Sequence, residues 1–207
     1  MATALLVHSE TLGYNCRPKG SVCQSFAIST WFDIISPEIA HNRSDNLSYK
    51  GDFPVAIEVS AEALPCLIGE EFEPSPWFEI TQERVALFAD ATNDHQYIHV
   101  DPERAANTPF GGTIAHGFLS LSLLVYLNSS TAKVPKNLQT IVNYGSDKVR
   151  YLAPVRVGKR IRSRQTVLEV TEKEPGTWLV KTAVTVEIEG ENKPALVAEL
   201  LMMMIAS

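Results

Sequence analysis

The sequence predicts an α+β fold in which helices precede an antiparallel β-sheet. Helical spacing of apolar residues is confined to the part of the chain before residue 128. The rest is dominated by segments rich in Val, Ile, Thr and aromatic residues, with turn signals of hairpin length between them. Because hairpin-length turns join antiparallel neighbours, this order of elements favours an antiparallel sheet over a parallel one.

Residues 1–60 form a predicted N-terminal extension that is poorly structured or loosely packed. Residues 1–53 are rich in Ser, Asn and Pro and show neither a helical nor a strand period. We therefore expect one domain, residues 61–207, a length that fits a single unit.

Three helices are predicted ahead of the strands. The first follows an N-cap at Thr81, since Val85 and Ala89 recur at helical spacing. The second begins at Asp101-Pro102-Glu103, which combines a capping acid, a proline at the first position and an acid in the first turn. The third, residues 118–127, is apolar nearly all round, so we expect it to be buried on every side.

Four strands are predicted after the helices. Val184, Val186 and Ile188 alternate with Thr185 and Glu187, the pattern of a strand with one buried face. Turn signals such as Glu174-Pro175-Gly176 separate the segments. The predicted strands cover residues 138–153, 159–172, 178–189 and 195–206.

Composition excludes several classes of partner. The net charge is −6, and the chain has no Lys/Arg cluster that would follow a nucleic-acid backbone. No apolar run reaches the roughly 18 residues that a membrane span needs. The three cysteines are an odd number without zinc-ligand spacing, which indicates a reducing, cytoplasmic location.

A short polar stretch combines the groups that proton transfer needs. Asp94 lies five residues before His99, and a Gly-Gly turn then leads to His116-Gly117 at the start of the third helix. The stretch supplies a carboxylate, an imidazole that changes charge near neutral pH, and backbone N–H groups at a helix start. Taken singly, Asp94 could be a turn residue and His99 a structural one.

The spacing of His95 and His99 is that of a zinc-protease motif, but Gln96 replaces its general base. We therefore predict no metal.

The segments around these residues resemble a known family. The matching segments are Asp94-His95-Gln96-Tyr97-Ile98-His99, Val100-Asp101-Pro102, Pro109-Phe110-Gly111, Ile114-Ala115-His116-Gly117 and residues 143–150. Together they resemble the hydratase motif of the MaoC-like dehydratases, the (R)-specific enoyl-CoA hydratases. The resemblance covers about residues 65–207.

The resemblance implies a hot-dog fold, an antiparallel sheet of about five strands wrapped around one long buried helix. It places the catalytic pair on Asp94 and His99 and the oxyanion-hole glycine on Gly117. It also implies a supporting or substrate-binding role for Gln96, His116, Gly111 and Tyr144. From the residues themselves, we expect Gln96 to orient a water or His99, and His116 either to fix the turn before the helix or to take a direct chemical role. Asn93 stands where the family often has glycine, but asparagine tolerates the left-handed backbone that such a turn requires.

The implied activity is the reversible addition of water to a trans-2-enoyl thioester, carried by coenzyme A or an acyl carrier protein, without a cofactor. The family pairs two units edge to edge, so we expect a homodimer or an assembly of dimers. Two alternatives stay open, a hot-dog protein that binds acyl thioesters without catalysis and a hot-dog thioesterase. Arg160, Arg162 and Arg164 form either a solvated face or a contact for coenzyme A phosphates.

Overall fold

The computed structural model describes residues 56–207, which form seven strands and five α-helices. The strands are β1 (Ile57–Val59), β2 (Phe78–Glu79), β3 (Lys133–Pro135), β4 (Leu138–Tyr151), β5 (Arg160–Glu174), β6 (Thr177–Ile188) and β7 (Leu196–Ala206). The helices are α1 (Gln82–Thr92), α2 (Tyr97–Val100), α3 (Pro102–Ala106), α4 (Gly117–Ser122) and α5 (Leu124–Ser129). A 3-10 helix, Ala61–Leu67, lies between β1 and β2.

Five strands form one curled antiparallel sheet in the order β2-β5-β6-β7-β4. The alternation predicted for β6 is present, since Val180, Val184, Val186 and Ile188 are buried while their neighbours are partly exposed. The pairing register places Val184 between Gln165 of β5 and Ala198 of β7. The predicted α+β class, the antiparallel sheet and its four long strands are confirmed.

The helices α4 and α5 pack against the concave face of the sheet. Leu119, Leu124 and Leu127 join a core cluster with sheet residues that include Val186 and Leu196. This cluster fixes the start of α4, where Gly117 lies, relative to the ends of β4 and β7.

The prediction of one helix buried on every side was wrong. The helical segment is divided at Leu123, and Phe118, Val125 and Tyr126 are 68%, 48% and 41% exposed. The reason is geometric: a helix on one sheet face buries one stripe of side chains, and the rest of the described chain supplies no second layer.

A smaller cluster closes the other end of the sheet. The 3-10 helix contributes Leu64 and Leu67, which pack with Phe72 and Trp178. Strand β1 pairs in parallel with β3, from Ile57 to Val59. Residues 1–55 of the predicted extension lie outside the described residues.

The predicted helix starts are present with their caps. The Thr81 hydroxyl accepts a hydrogen bond from the Arg84 N–H at 3.2 Å, and the Asp101 carboxylate accepts one from the Arg104 N–H at 3.0 Å. Within residues 56–207, the helices are too short to pass through a membrane.

Candidate active site

Asp94 follows the last residue of α1 through a left-handed turn. Asn93 ends the helix with φ 58°, the conformation that the sequence predicted for it. The Asp94 N–H donates to the Ala89 carbonyl at 3.1 Å, which holds the backbone, while the carboxylate side chain remains exposed. The turn thus presents a solvated acid at the edge of the core.

His99 lies on the one-turn helix α2 and is only 7% exposed. Its Nδ1 is 2.7 Å from the Ile114 carbonyl oxygen. Because a carbonyl can only accept, Nδ1 carries the proton in the neutral ring and Nε2 keeps a lone pair. The loop that supplies this carbonyl is itself held in place, since the Ile114 N–H donates to the Ile98 carbonyl at 3.0 Å.

Burial favours the neutral form of this ring. Desolvation lowers the pKa of His99 from the usual 6.5, and the neighbouring His116 lowers it further. The hydrogen bond to Ile114 and the charge of Asp94 act in the opposite direction without reversing the shift. At neutral pH His99 is therefore positioned to accept a proton at Nε2.

Gln82 connects the first turn of α1 to the segment that carries His99. Its amide nitrogen donates to the His99 carbonyl at 2.7 Å, and its amide oxygen accepts from the Thr113 hydroxyl at 2.6 Å. One side chain thus ties α1, α2 and the loop before Ile114 together.

His116 packs directly on the His99 ring. The His99 and His116 rings are stacked with centroids 3.7 Å apart, and His116 is buried. Its Nε2 donates to the Asp94 carbonyl at 3.0 Å and lies 4.0 Å from an Asp94 carboxylate oxygen. His116 therefore holds Asp94 close to His99. The sequence predicted that His116 would fix the turn before the helix or take a direct chemical role, and in the structure it contacts both residues directly.

Gly117 begins α4 beside the mouth of a cavity of about 280 Å³. A Cβ at this position would come within 3.0 Å of the Tyr151 ring, so only glycine fits without displacing that ring. The first N–H groups of a helix have no intrahelical acceptor and are free to meet a ligand oxygen. The cavity is lined by His99, Phe110, Ile114, Ala115, Gly117, Ser120, Tyr151, Leu152, Ala153, Pro154, Val155 and Ala195.

Three predicted supporting residues lie elsewhere than expected. Gln96 is exposed at the start of α2, where its carbonyl accepts from the His99 N–H at 2.9 Å, and the side-chain amide that bonds the His99 backbone is that of Gln82. Tyr144 lies within β4 and does not line this cavity, whereas Tyr151, at the end of the same strand, does. Gly111 occupies a turn with φ 67°, with the Arg156 guanidinium near it, and serves the loop rather than the cavity wall.

The described residues contain one group that could offer donor atoms to a metal ion, Asp94, His99 and His116, with one atom from each within 4.8 Å of the others. The hydrogen bonds argue against ligation, because the Nε2 atom that His116 turns toward Asp94 already donates to a carbonyl. His95 is not a member of this group and pairs with the exposed Asp90 carboxylate at 2.8 Å.

The arginine stripe on β5 is neutralised by glutamates. Arg160 pairs with Glu189, Arg162 with Glu187, and Arg164 with Glu71. These pairs favour the solvated-face interpretation over a phosphate contact.

Comparison with known proteins assigns the family. The model of a protein family described as MaoC like domain matches residues 64–192 of this chain. The chain is 49% identical over 147 residues to 3-hydroxyacyl-thioester dehydratase Z of Mycobacterium tuberculosis (strain ATCC 25618 / H37Rv), covering 71% of this chain and 97% of that protein. It is 48% identical over 142 residues to nodulation protein N of Rhizobium leguminosarum bv. viciae, covering 68% and 88%.

A solved structure supports the fold. The monoamine oxidase regulatory protein from Archaeoglobus fulgius superposes with a TM-score of 0.60 at 23% identity, covering 74% of this chain and 99% of that one. The curled sheet with its helices on the concave face is the hot-dog fold. With the domain match spanning more than half of its length, the chain belongs to the MaoC-like dehydratase family.

Proposed function

We propose that this protein is a hydro-lyase that adds water reversibly to a trans-2-enoyl thioester to give the (R)-3-hydroxyacyl thioester. The observation that carries the proposal is a neutral, buried His99 with Nε2 available, in one cluster with the Asp94 carboxylate and beside the start of α4. The M. tuberculosis relative, named a 3-hydroxyacyl-thioester dehydratase, supports the same reaction.

The proton path follows from the tautomer of His99. A water held between Asp94 and His99 gives one proton to Nε2, and its oxygen adds to C3 of the enoyl group. The resulting imidazolium lies between the Ile114 carbonyl and the Asp94 carboxylate, both of which stabilise its charge. His99 then returns the proton to C2, so that the elements of one water have been added. Dehydration follows the same steps in reverse.

Negative charge develops on the thioester oxygen while C3 is attacked. The Gly117 N–H, at the start of α4, is the donor proposed to meet this enolate oxygen. A donor of this kind typically lowers a barrier by about 3 kcal/mol. The close approach of Tyr151 to Gly117 would hold the thioester against that N–H.

The carrier is coenzyme A or an acyl carrier protein, and the chemistry needs no cofactor. Asp94, His99 and a backbone N–H supply the acid–base and electrostatic functions that hydration requires. We also propose a cytoplasmic location, because an odd number of cysteines is typical of a reducing compartment in which disulfides are rare.

The proposed assembly is a homodimer, or an assembly of dimers, formed through β4. This 14-residue strand is an edge of the sheet and is largely exposed, whereas the other edge, β2, has only two residues. A long exposed edge with free backbone groups favours pairing with a second copy. Exposed apolar residues on β4 and on the helix beside it, among them Ile141, Val142 and Phe118, would be covered in such a dimer.

An assay with crotonyl-CoA separates the proposal from its rivals. The proposed enzyme hydrates the double bond, so the ultraviolet absorbance of the enoyl thioester falls and no free thiol is released. A thioesterase releases free coenzyme A, and a binding protein does neither while still retaining the ligand. Release of thiol, or absence of hydration by folded protein, overturns the proposed function.

A further inference from the structure

Ser120 brings a hydroxyl to the wall of the cavity that contains His99. It lies on α4, is only 3% exposed and lines this cavity of about 280 Å³. Tyr151, the other residue of the lining with a hydroxyl, is 46% exposed. The remaining side chains of the described lining, apart from His99, are apolar. Ser120 is therefore an enclosed polar group in a largely apolar wall.

The hydroxyl of Ser120 makes no hydrogen bond within residues 56–207. Ser129 and Ser130, at the end of α5, donate to carbonyls three residues earlier at 2.7 and 3.3 Å, and Ser120 makes no bond of that kind. In the described part of the chain, the unpartnered side-chain atoms that are sealed from any open space belong to His116 and Thr182. The Ser120 oxygen is not sealed in this way, so it opens into the cavity that it lines.

The hydroxyl has no evident role in the fold. Alanine favours a helix more than serine does and would occupy the same place without a polar atom. A hydroxyl that is removed from bulk water without a partner is costly in free energy. Its presence beside His99 therefore indicates an oxygen atom that it meets when a ligand is bound.

Helix geometry places this hydroxyl close to the Gly117 N–H. Residues three apart are neighbours on one helix face, about 5–6 Å between Cβ atoms, and helical side chains lean toward the N-terminal end. Because Gly117 has no side chain, no atom of its own stands between the two donors. The Tyr151 ring, 3.0 Å from the place of a Cβ on Gly117, closes the space on one side. One ligand oxygen can therefore accept from both donors.

We propose that the Ser120 hydroxyl donates a hydrogen bond to the thioester carbonyl oxygen and, together with the Gly117 N–H, stabilises the enolate that forms during hydration. The proposal rests on the proposed function and adds a catalytic residue to it. The apolar wall around Ser120 strengthens such a bond, because little solvent competes for the developing charge.

The kinetic test compares S120A with S122A on crotonyl-CoA. Ser122 lies on the same helix, is exposed and does not line the cavity of His99, so it is a matched control. S120A is expected to lower kcat by at least about 10-fold with little change in KM, because the bond strengthens as negative charge develops. S122A should retain the wild-type kcat.

Infrared spectroscopy of the bound thioester identifies the oxygen that Ser120 meets. Crotonyl-CoA labelled with ¹³C at the carbonyl is bound to D94N, in which turnover is expected to be slow, and to D94N/S120A. A donated hydrogen bond polarises the carbonyl and lowers its stretching frequency, so the frequency should be higher in D94N/S120A. A serine that acted on the reacting water, or only on the fold, would leave the frequency unchanged.

Two results overturn the proposal while the proposed function stands. One is an S120A protein whose kcat equals that of S122A. The other is an equal carbonyl frequency in D94N and D94N/S120A, whatever the kinetics of S120A. A folded wild-type protein that binds crotonyl-CoA without hydrating it contradicts the proposed function instead, and the carbonyl frequency then still decides whether Ser120 meets the thioester oxygen.

Discussion

We expect Gln82 to act on the proposed catalysis through the backbone of His99. Its amide group bridges the His99 carbonyl and the Thr113 hydroxyl, so removal of the amide frees both the catalytic segment and the loop before Ile114. Small displacements of a catalytic group are costly, because proton transfer requires hydrogen-bond distances.

We predict that Q82L lowers kcat for enoyl-CoA hydration by about 10-fold with little change in KM. The matched control is Q96L, since Gln96 is exposed and its side chain does not cap α2. Steady-state kinetics of the two variants decide the point. Equal losses in both, or a loss in Q96L alone, would show that the orienting amide has been assigned to the wrong residue.

The lowered pKa of His99 sets the pH dependence of the reaction. Hydration needs the neutral ring, so kcat/KM should fall as pH drops through the His99 pKa of the folded free enzyme, which burial places below the ordinary 6.5. The folded protein also binds this proton less readily than the unfolded chain. The stability from His99 is therefore complete above pH 6.5 and declines as pH falls below it. A pH profile of kcat/KM with an acid limb at or above 6.5 would contradict this assignment.

At the scale of elements, β6 anchors the core under α4. Ile188 is fully buried in the cluster that holds Leu119 and Leu196, whereas Leu168 of β5 is partly exposed. We predict that I188A lowers the free energy of unfolding by about 2–5 kcal/mol, and that L168A changes it by less than about 0.5 kcal/mol. Denaturant unfolding measures both, and comparable losses would mean that this cluster is not the core.

The strands could be predicted because each has one buried face. Burial of one face produces the alternation of Val184, Val186 and Ile188 in the sequence, and the side chains of β6 alternate between buried and partly exposed up to Ile188. The helix was misjudged because apolar character alone does not say what covers a residue. Phe118 and Val125 look like core in the sequence, yet their own chain leaves them exposed.

The residues of the proposed catalytic pair could also be located from the sequence, since Asp94, His99 and Gly117 stand at fixed positions of one motif. Gln82 and Tyr151 were not, because their contacts join distant parts of the chain. Gln82 reaches His99 from 17 residues away, and Tyr151 meets Gly117 from the end of β4. Neither position carries a local pattern that distinguishes it from an ordinary helix or strand residue.

At the scale of the whole molecule, the long exposed edge of β4 predicts a dimer in solution. Sedimentation equilibrium at micromolar concentration should give about twice the chain mass of 22.8 kDa, or a multiple of that dimer. A monomer that retained full hydratase activity would refute the proposed assembly.

The most direct test of the acid–base pair is hydration of crotonyl-CoA by D94N and H99Q, with chiral analysis of the product. Gln at position 99 retains an amide that can donate to the Ile114 carbonyl, and Asp94 is exposed, so both variants should remain folded by circular dichroism. The wild-type protein should form (R)-3-hydroxybutyryl-CoA, and each variant should lose at least about 100-fold in kcat. Near-normal turnover by either folded variant, or an (S) product from the wild-type protein, would contradict the account.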